Sequence, residues 1–214
     1  MTYPNAHRGI EKIHIAEIMI IAGTILMGIV QAIVSVQDVQ TIISEFGEVP
    51  GVIIAIMIIL GMILMIAGDI FNIWGLRIAG RDDKMFYVPY ALSIMIILTD
   101  IVIGIILFIT NKGNIDKIID VAEEVVELVQ MVVVIVVSSK LAKSLNGTAH
   151  VTKSRVVLWL IIINVVFSFG LGASSLLTDV HNKVLYGISE ALEIISFIVY
   201  LIYVDITIKF LKEN

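Results

Sequence analysis

Three carboxylic acids lie in the middle of long apolar segments, where acidic residues are rare. Taking about 1.5 Å of helix rise per residue, Asp100, Glu127 and Glu193 each fall within about 5 Å of the centre of an apolar segment. The 14 lysines and arginines lie near the ends of these segments or between them, so the chain supplies no basic partner for the three acids. A carboxyl group without a partner in a low-dielectric environment either takes up a proton or holds a cation. The three acids therefore indicate proton or cation exchange.

Further polar residues share helix faces with these acids, because positions three, four or seven apart lie on one side of a helix. All of them bind through oxygen atoms, which favours H⁺, Na⁺, Mg²⁺, Ca²⁺ or Mn²⁺ over softer metals and leaves the particular metal open. The alternative is that they are hydrogen-bonding contacts between helices, or acids exposed to water at segment ends. The candidate proton- or cation-binding residues are Asp100, Glu127, Glu193, Asn164, Glu123, Glu190, Gln130 and Asp69.

The composition indicates that lipid is the solvent for most of the chain. Of the 214 residues, 59% are hydrophobic and only 15% are charged, and the mean hydropathy is +1.04. A soluble domain is about 45–50% apolar and roughly a quarter charged. The net charge of −5 argues against nucleic acid as a partner. Because there are no cysteines and the four histidines lie near segment ends or between segments, we expect neither a cofactor nor catalytic activity.

Six apolar segments are long enough to cross a bilayer as helices. Pro50 and Pro89 fall in the first turns of the second and third segments, where a missing N–H costs least. The first segment, of about 25 residues, is too long for the core of a cleavable signal peptide. The sequence therefore predicts an all-α polytopic membrane bundle that forms a single transmembrane domain over 1–214. The predicted spans are 13–36, 49–76, 85–110, 118–141, 156–178 and 184–210.

The distribution of basic residues predicts the orientation. The N-terminus, the second and fourth loops and the C-terminus together hold 11 of the 14 lysines and arginines, and the other three loops hold 3. Because cytoplasmic segments are enriched in these residues, we expect a cell-membrane protein with both termini in the cytoplasm. Three spans in each half, together with the pairs Ala16–Glu17 and Ala122–Glu123, leave a 3+3 inverted repeat open.

Two functions are compatible with this pattern. The first is a small transporter or channel that moves protons or hard cations past the intramembrane carboxylates. The second is a non-transporting membrane module, such as a sensor domain or a helical subunit of a larger complex or homo-oligomer. Acids that face one cavity favour transport, whereas acids at a subunit contact favour the second function.

Overall fold

The fold is built from long helices. A computed structural model describes residues 2–36, 48–110, 116–178 and 183–214. In this part of the chain five of the predicted spans each lie in one helix, and the span 85–110 begins in a 3₁₀ turn (Lys84–Phe86) and continues as the third helix. The structure therefore confirms the all-α bundle. The six helices of the described residues are α1 (Pro4–Val36), α2 (Glu48–Ala79), α3 (Tyr87–Thr110), α4 (Asp116–Ser144), α5 (Thr148–Thr178) and α6 (Lys183–Glu213).

Five of these helices are long and apolar enough, over their described residues, to cross a membrane. The shortest such stretch has 20 residues, and 20 residues cover about 30 Å, the thickness of the hydrocarbon core. The outer faces suit lipid: on α2, Ile56, Ile63 and Ile70 lie on one side, and each exposes more than half of its surface. α3 has 24 residues. The apolar stretch that includes its first part, Lys84–Thr99, is shorter than those of the other five helices.

The described chain divides into two compact units. Residues Glu11–Gly75, which hold most of α1 and α2, form one, which we call the hairpin unit. Met1–Ile10 and Leu76–Asn214, which contain α3 to α6, form the other, the four-helix unit. In the four-helix unit α3 packs on α4, α4 on α5 and α5 on α6. The single transmembrane domain stays a prediction.

Glycines bring the two helices of the hairpin unit into close contact. A Cβ atom added at Gly23 would lie 2.8 Å from the carbonyl oxygen of Gly61, and one at Gly68 would lie 3.0 Å from that of Ala16. A side chain at either position would therefore force the backbones apart. Such contacts between small residues are how membrane helices gain van der Waals packing, because lipid provides no hydrophobic drive between them.

One end of the hairpin unit carries a cation–aromatic cluster. The Lys12 ammonium lies 3.6 Å from the ring centroid of Trp74 and 5.1 Å from that of Phe71. The two rings meet edge to face, with centroids 6.1 Å apart. The negative faces of the two rings attract the ammonium group. The cluster also places an amphipathic tryptophan near the end of a span, where tryptophan is enriched in membrane proteins.

Hydrogen bonds gather four separate segments at one end of the four-helix unit. Near the N-terminus, the Tyr3 hydroxyl lies 2.9 Å from the Ser144 Oγ, and the Ala6 N–H donates to Asp82 Oδ2 at 2.7 Å. Thr2 Oγ1 donates to the Asn214 carbonyl at 3.0 Å. The N-terminus, the loops after α2 and α4 and the C-terminal residues therefore lie together. These are the four segments that hold most of the basic residues.

An ion pair joins the loop after α2 to α4. The buried Asp83 carboxylate pairs with Lys140 and accepts a hydrogen bond from the Met85 N–H at 3.0 Å. Burial alone would raise the pKa of Asp83, but the hydrogen bonds from Lys140 and Met85 and the Lys140 charge outweigh it, so this pKa lies below its ordinary value of 3.8. A carboxyl group whose pKa is lowered by folding stabilises the folded state above its unfolded pKa. That stability is lost as the pH falls through the folded pKa.

Asp83→Asn is therefore expected to lower stability at pH 7 and to lower it less at pH 3. The loss at pH 7 should be about 1 kcal/mol, because the Lys140 side chain is 63% exposed and water screens the pair. Thermal unfolding of both proteins in detergent between pH 7 and pH 3 measures the difference. Asp205→Asn, which breaks the exposed pair with Lys209, is the control and should change little. A gap between wild type and Asp83→Asn that is the same at every pH would contradict the assignment.

Candidate functional site

Helices α4, α5 and α6 enclose a line of buried polar side chains, which we call the polar seam. On α6 its residues follow a spacing of four, three and four, which places them on one face of the helix. Each side chain in the seam is less than 9% exposed. Lipid cannot hydrogen-bond these groups, so their burial between helices is required. The seam consists of Gln130 and Ser138 on α4, His150 and Ser154 on α5, and Ser196, Tyr200, Tyr203 and Thr207 on α6.

His150 forms one end of the seam. Its Nε2 lies 3.1 Å from the Thr207 Oγ1, and its ring stacks on Phe210 with centroids 4.9 Å apart. The Thr207 hydroxyl donates to the Tyr203 carbonyl at 2.9 Å. Which of the two groups donates in the contact between His150 and Thr207 depends on the tautomer of the imidazole.

The Tyr203 hydroxyl lies close to three other hydroxyls. They belong to Ser138, Ser154 and Thr207, one from each of the three helices. Ser154 donates to the Val151 carbonyl at 2.7 Å, and Thr207 donates to the Tyr203 carbonyl. The Ser138 and Tyr203 oxygens are buried, and neither makes a direct hydrogen bond of good geometry within the described residues. The group therefore has unused hydrogen-bonding capacity.

Two more buried oxygens further along the unit share this property. Ser196 Oγ and Asn164 Oδ1 have no hydrogen-bond partner in the part of the chain that the structure describes. A buried polar atom left without a partner costs about 1–3 kcal/mol. The protein recovers this cost if water or a cation occupies the space beside these atoms.

The seam reaches an open cleft at the end where the basic segments gather. The cleft has a volume of about 400 Å³, and His150 contributes to its wall. Lys153, Lys209 and Glu213 provide charges around it, and Phe210 provides an apolar side. His150 thus joins a buried line of polar groups to an opening at the surface.

Two of the sequence-predicted residues lie in or beside the seam. Gln130 is buried within it, and Asn164 is half-buried on α5 with the unpartnered carbonyl oxygen. Glu127, one turn before Gln130, is exposed on the surface of the described chain, and Asp69 is exposed on α2 of the hairpin unit. The side chains of the other four candidates lie outside the described residues, so their roles stay predictions: Asp100, Glu123, Glu190 and Glu193.

Sequence reasoning based on carboxylates missed most of the seam. Tyr200, Tyr203 and Thr207 were not among the candidates, and neither was His150. The spacing of Glu193, Ser196 and Tyr200 could have found them, because it continues one helix face from a predicted acid into the seam. Among the described residues, no group of three acidic or histidine side chains is placed to hold a metal ion.

The fold and the seam together define a class, the polytopic helical membrane bundle with a polar line in its interior. Comparisons of the chain with protein-family models, with curated proteins and with solved structures found no match.

Proposed function

We propose that this chain is a small integral membrane transporter or channel for protons or hard metal cations. The observation that carries the proposal is a set of buried oxygens, those of Ser138, Ser196 and Asn164, that lack a hydrogen bond of good geometry among the described residues of a lipid-facing bundle. Polar groups that only add contacts between helices normally satisfy one another. Groups left open in a membrane interior are suited to a mobile partner such as water, a proton or a cation.

Two of the carboxylates predicted from the sequence, Glu193 and Glu123, also support the transport function. Glu193 precedes Ser196 by three residues, and Glu123 precedes Gln130 by seven, so both continue the seam in helix register. An acid at such a position exchanges protons or supplies charge for a cation. The hydroxyl and amide oxygens then provide the uncharged part of the path.

We place the protein in the cell membrane with both termini in the cytoplasm. Eleven of the 14 basic residues belong to four segments, and hydrogen bonds gather those segments at one end of the four-helix unit. The asymmetry in lysine and arginine assigns that end to the cytoplasmic side. A reporter fused after Asn214 should therefore read as cytoplasmic, and an external reading would overturn the orientation.

The second candidate function is a non-transporting helical subunit, and the exposure of Glu127 favours it. An exposed carboxyl near the middle of α4 is placed to meet a second copy or another membrane subunit. The chain has no cysteine, so Glu127→Cys would carry the sole thiol. Oxidative cross-linking of this variant into a dimer in membranes would support a subunit contact, with Thr99→Cys, exposed on α3, as the control.

The test of the transport function is flux into liposomes that contain only the purified wild-type protein. Proton, Na⁺, Mg²⁺, Ca²⁺ and Mn²⁺ movement would be measured with enclosed indicators and compared with protein-free liposomes. Flux of a proton or of at least one of these cations is expected. No flux for any of them would eliminate the transporter and favour the subunit function.

A further inference from the structure

We propose that the polar seam is the inner half of a proton pathway, in which hydroxyl groups and bound water pass protons between the depth of Ser196 and the cleft at His150. The proposal rests on the transport function and narrows the cargo to the proton. It concerns residues that the carboxylate pattern alone does not identify. Three features support it, namely the length of the seam, its unfilled hydrogen-bonding capacity and the chemistry of its groups.

The length of the seam matches half of a bilayer. Ser196 and Thr207 are 11 positions apart on α6, which corresponds to about 16 Å of helix rise. Half of the hydrocarbon core is about 15 Å. The line of polar groups therefore extends from near the middle of the membrane to one surface.

The unfilled hydrogen-bonding capacity of the polar seam indicates that water is bound along it. A buried water molecule needs two to four polar partners, and the hydroxyls around Tyr203 provide that number. Ser138 and Tyr203 make no direct hydrogen bond of good geometry within the described residues, although neither can turn to solvent. Water between these oxygens would connect them into a continuous hydrogen-bonded chain.

The chemistry of the groups favours a proton over a metal ion. A hydroxyl or a water releases one proton as it accepts another, so one O–H bond breaks while one forms and no charge stays behind. A Mg²⁺ or Ca²⁺ ion needs about six or more oxygen ligands. Near Tyr203 the seam offers four hydroxyls, and those of Ser154 and Thr207 already donate to carbonyl oxygens.

His150 is the group that connects this chain to the cleft. Its Nε2 forms a hydrogen bond with the Thr207 hydroxyl, and the residue also forms part of the cleft wall. An imidazole binds a proton at one nitrogen and releases the proton of the other, which suits a transfer between water and a buried hydroxyl. Lys153, Lys209 and Glu213 are the charged groups of the cleft around it.

The experiment measures proton uptake by proteoliposomes driven by a potassium diffusion potential. Tyr203→Phe and the double change Ser138→Ala with Ser196→Ala each remove oxygens and keep the apolar part of the side chains. Each is expected to reduce proton flux at least about tenfold, which corresponds to a higher barrier to transfer. Thr152→Ala is the control, because that exposed hydroxyl donates to the Thr148 carbonyl of its own helix and lies outside the seam. Its flux should equal that of the wild type.

The outcomes separate this inference from the transport function. Proton flux that is unchanged in both seam variants overturns the pathway and leaves the transporter standing. Flux of a metal ion without proton flux also overturns the proton pathway and leaves the transport function standing. No flux of any ion removes both proposals.

A second measurement needs no variant and covers the case in which the altered proteins do not fold. Hydroxyl radicals generated from water label side chains that touch bound water. Tyr203, although 2% exposed, should be labelled at a rate near that of the exposed Tyr87, whereas the fully buried Phe86 should resist labelling. Labelling of Tyr203 as slow as that of Phe86 would overturn the hydrated pathway.

Discussion

Gly23→Leu is expected to destabilise the hairpin unit by about 3 kcal/mol, the largest loss of stability that we expect from a single substitution. A Cβ atom at Gly23 would lie 2.7 Å from Met65 Cγ and 2.8 Å from the carbonyl oxygen of Gly61. The methionine side chain can move, but the carbonyl belongs to the backbone of α2 and moves only if the helix does. Separation of α1 from α2 would also open the contact at Gly68, so the loss extends along the hairpin.

Gly28→Leu on the same helix is the matched control. A Cβ atom there meets nothing within 4 Å, so this substitution adds a side chain without displacing a neighbour. The yield of monodisperse protein and its thermal unfolding in detergent distinguish the two variants. Equal stability of Gly23→Leu and Gly28→Leu would show that the close approach of the helices does not exist.

Glu193→Gln and Asp100→Asn are each expected to lower ion flux by about 100-fold, the low end of what a positioned proton-transfer group contributes. Both changes keep the size of the side chain and remove its charge and its exchangeable carboxyl proton. Glu193 lies three residues before Ser196 in the register of the seam, and both acids fall near the centres of their predicted spans. Neither acid has a basic residue nearby in the sequence that could neutralise its negative charge.

Glu11→Gln controls for the loss of a negative charge outside the seam and the cleft. Glu11 is exposed near the start of α1, and flux should be unaffected by its change. The assay is the liposome flux measurement on protein whose thermal stability equals that of the wild type. Full flux in both Glu193→Gln and Asp100→Asn would remove the carboxylates from the mechanism while leaving the seam to be tested on its own.

Hydropathy predicts the number of helices, whereas tertiary contacts determine where each helix begins and ends. The first span was expected to start at residue 13, whereas α1 begins at Pro4. The additional turns are stabilised from outside the helix, because Asp82 accepts hydrogen bonds from the Ala6 N–H and the Asn5 side chain. A carboxylate at a helix N-terminus complements both the free N–H groups and the helix dipole. A contact between residues this far apart is invisible to a local pattern.

The start of α5 shows why His150 was not among the candidates. Hydropathy predicts a loop in the polar stretch before residue 156, but the helix begins at Thr148. Within that stretch Thr152 and Lys153 are exposed while His150 and Ser154 are buried. Average hydropathy treats these residues as equivalent, and only the helical period separates the side that packs from the side that meets solvent.

Glu127 illustrates the limit of periodicity for the site itself. It lies three residues before Gln130 and eleven before Ser138, in register with both on a helix, yet those two are buried and Glu127 is exposed. Residues three apart differ by about 60° around a helix, so a stripe has edges. Which edge a neighbouring helix covers depends on how the helices cross. The periodicity of one helix does not determine the angle at which its neighbours cross it.

The cation–aromatic cluster of the hairpin unit has a practical consequence for spectroscopy. The chain contains two tryptophans, Trp74 in the hairpin unit and Trp159 in the four-helix unit. Trp74 lies beneath a lysine ammonium, whereas Trp159 is 64% exposed on the outer face of α5, where a lipid chain would cover it. Their fluorescence therefore arises from different electrostatic surroundings. With one of them changed to phenylalanine, the other is a native fluorophore that reports the melting of its own unit without any attached dye.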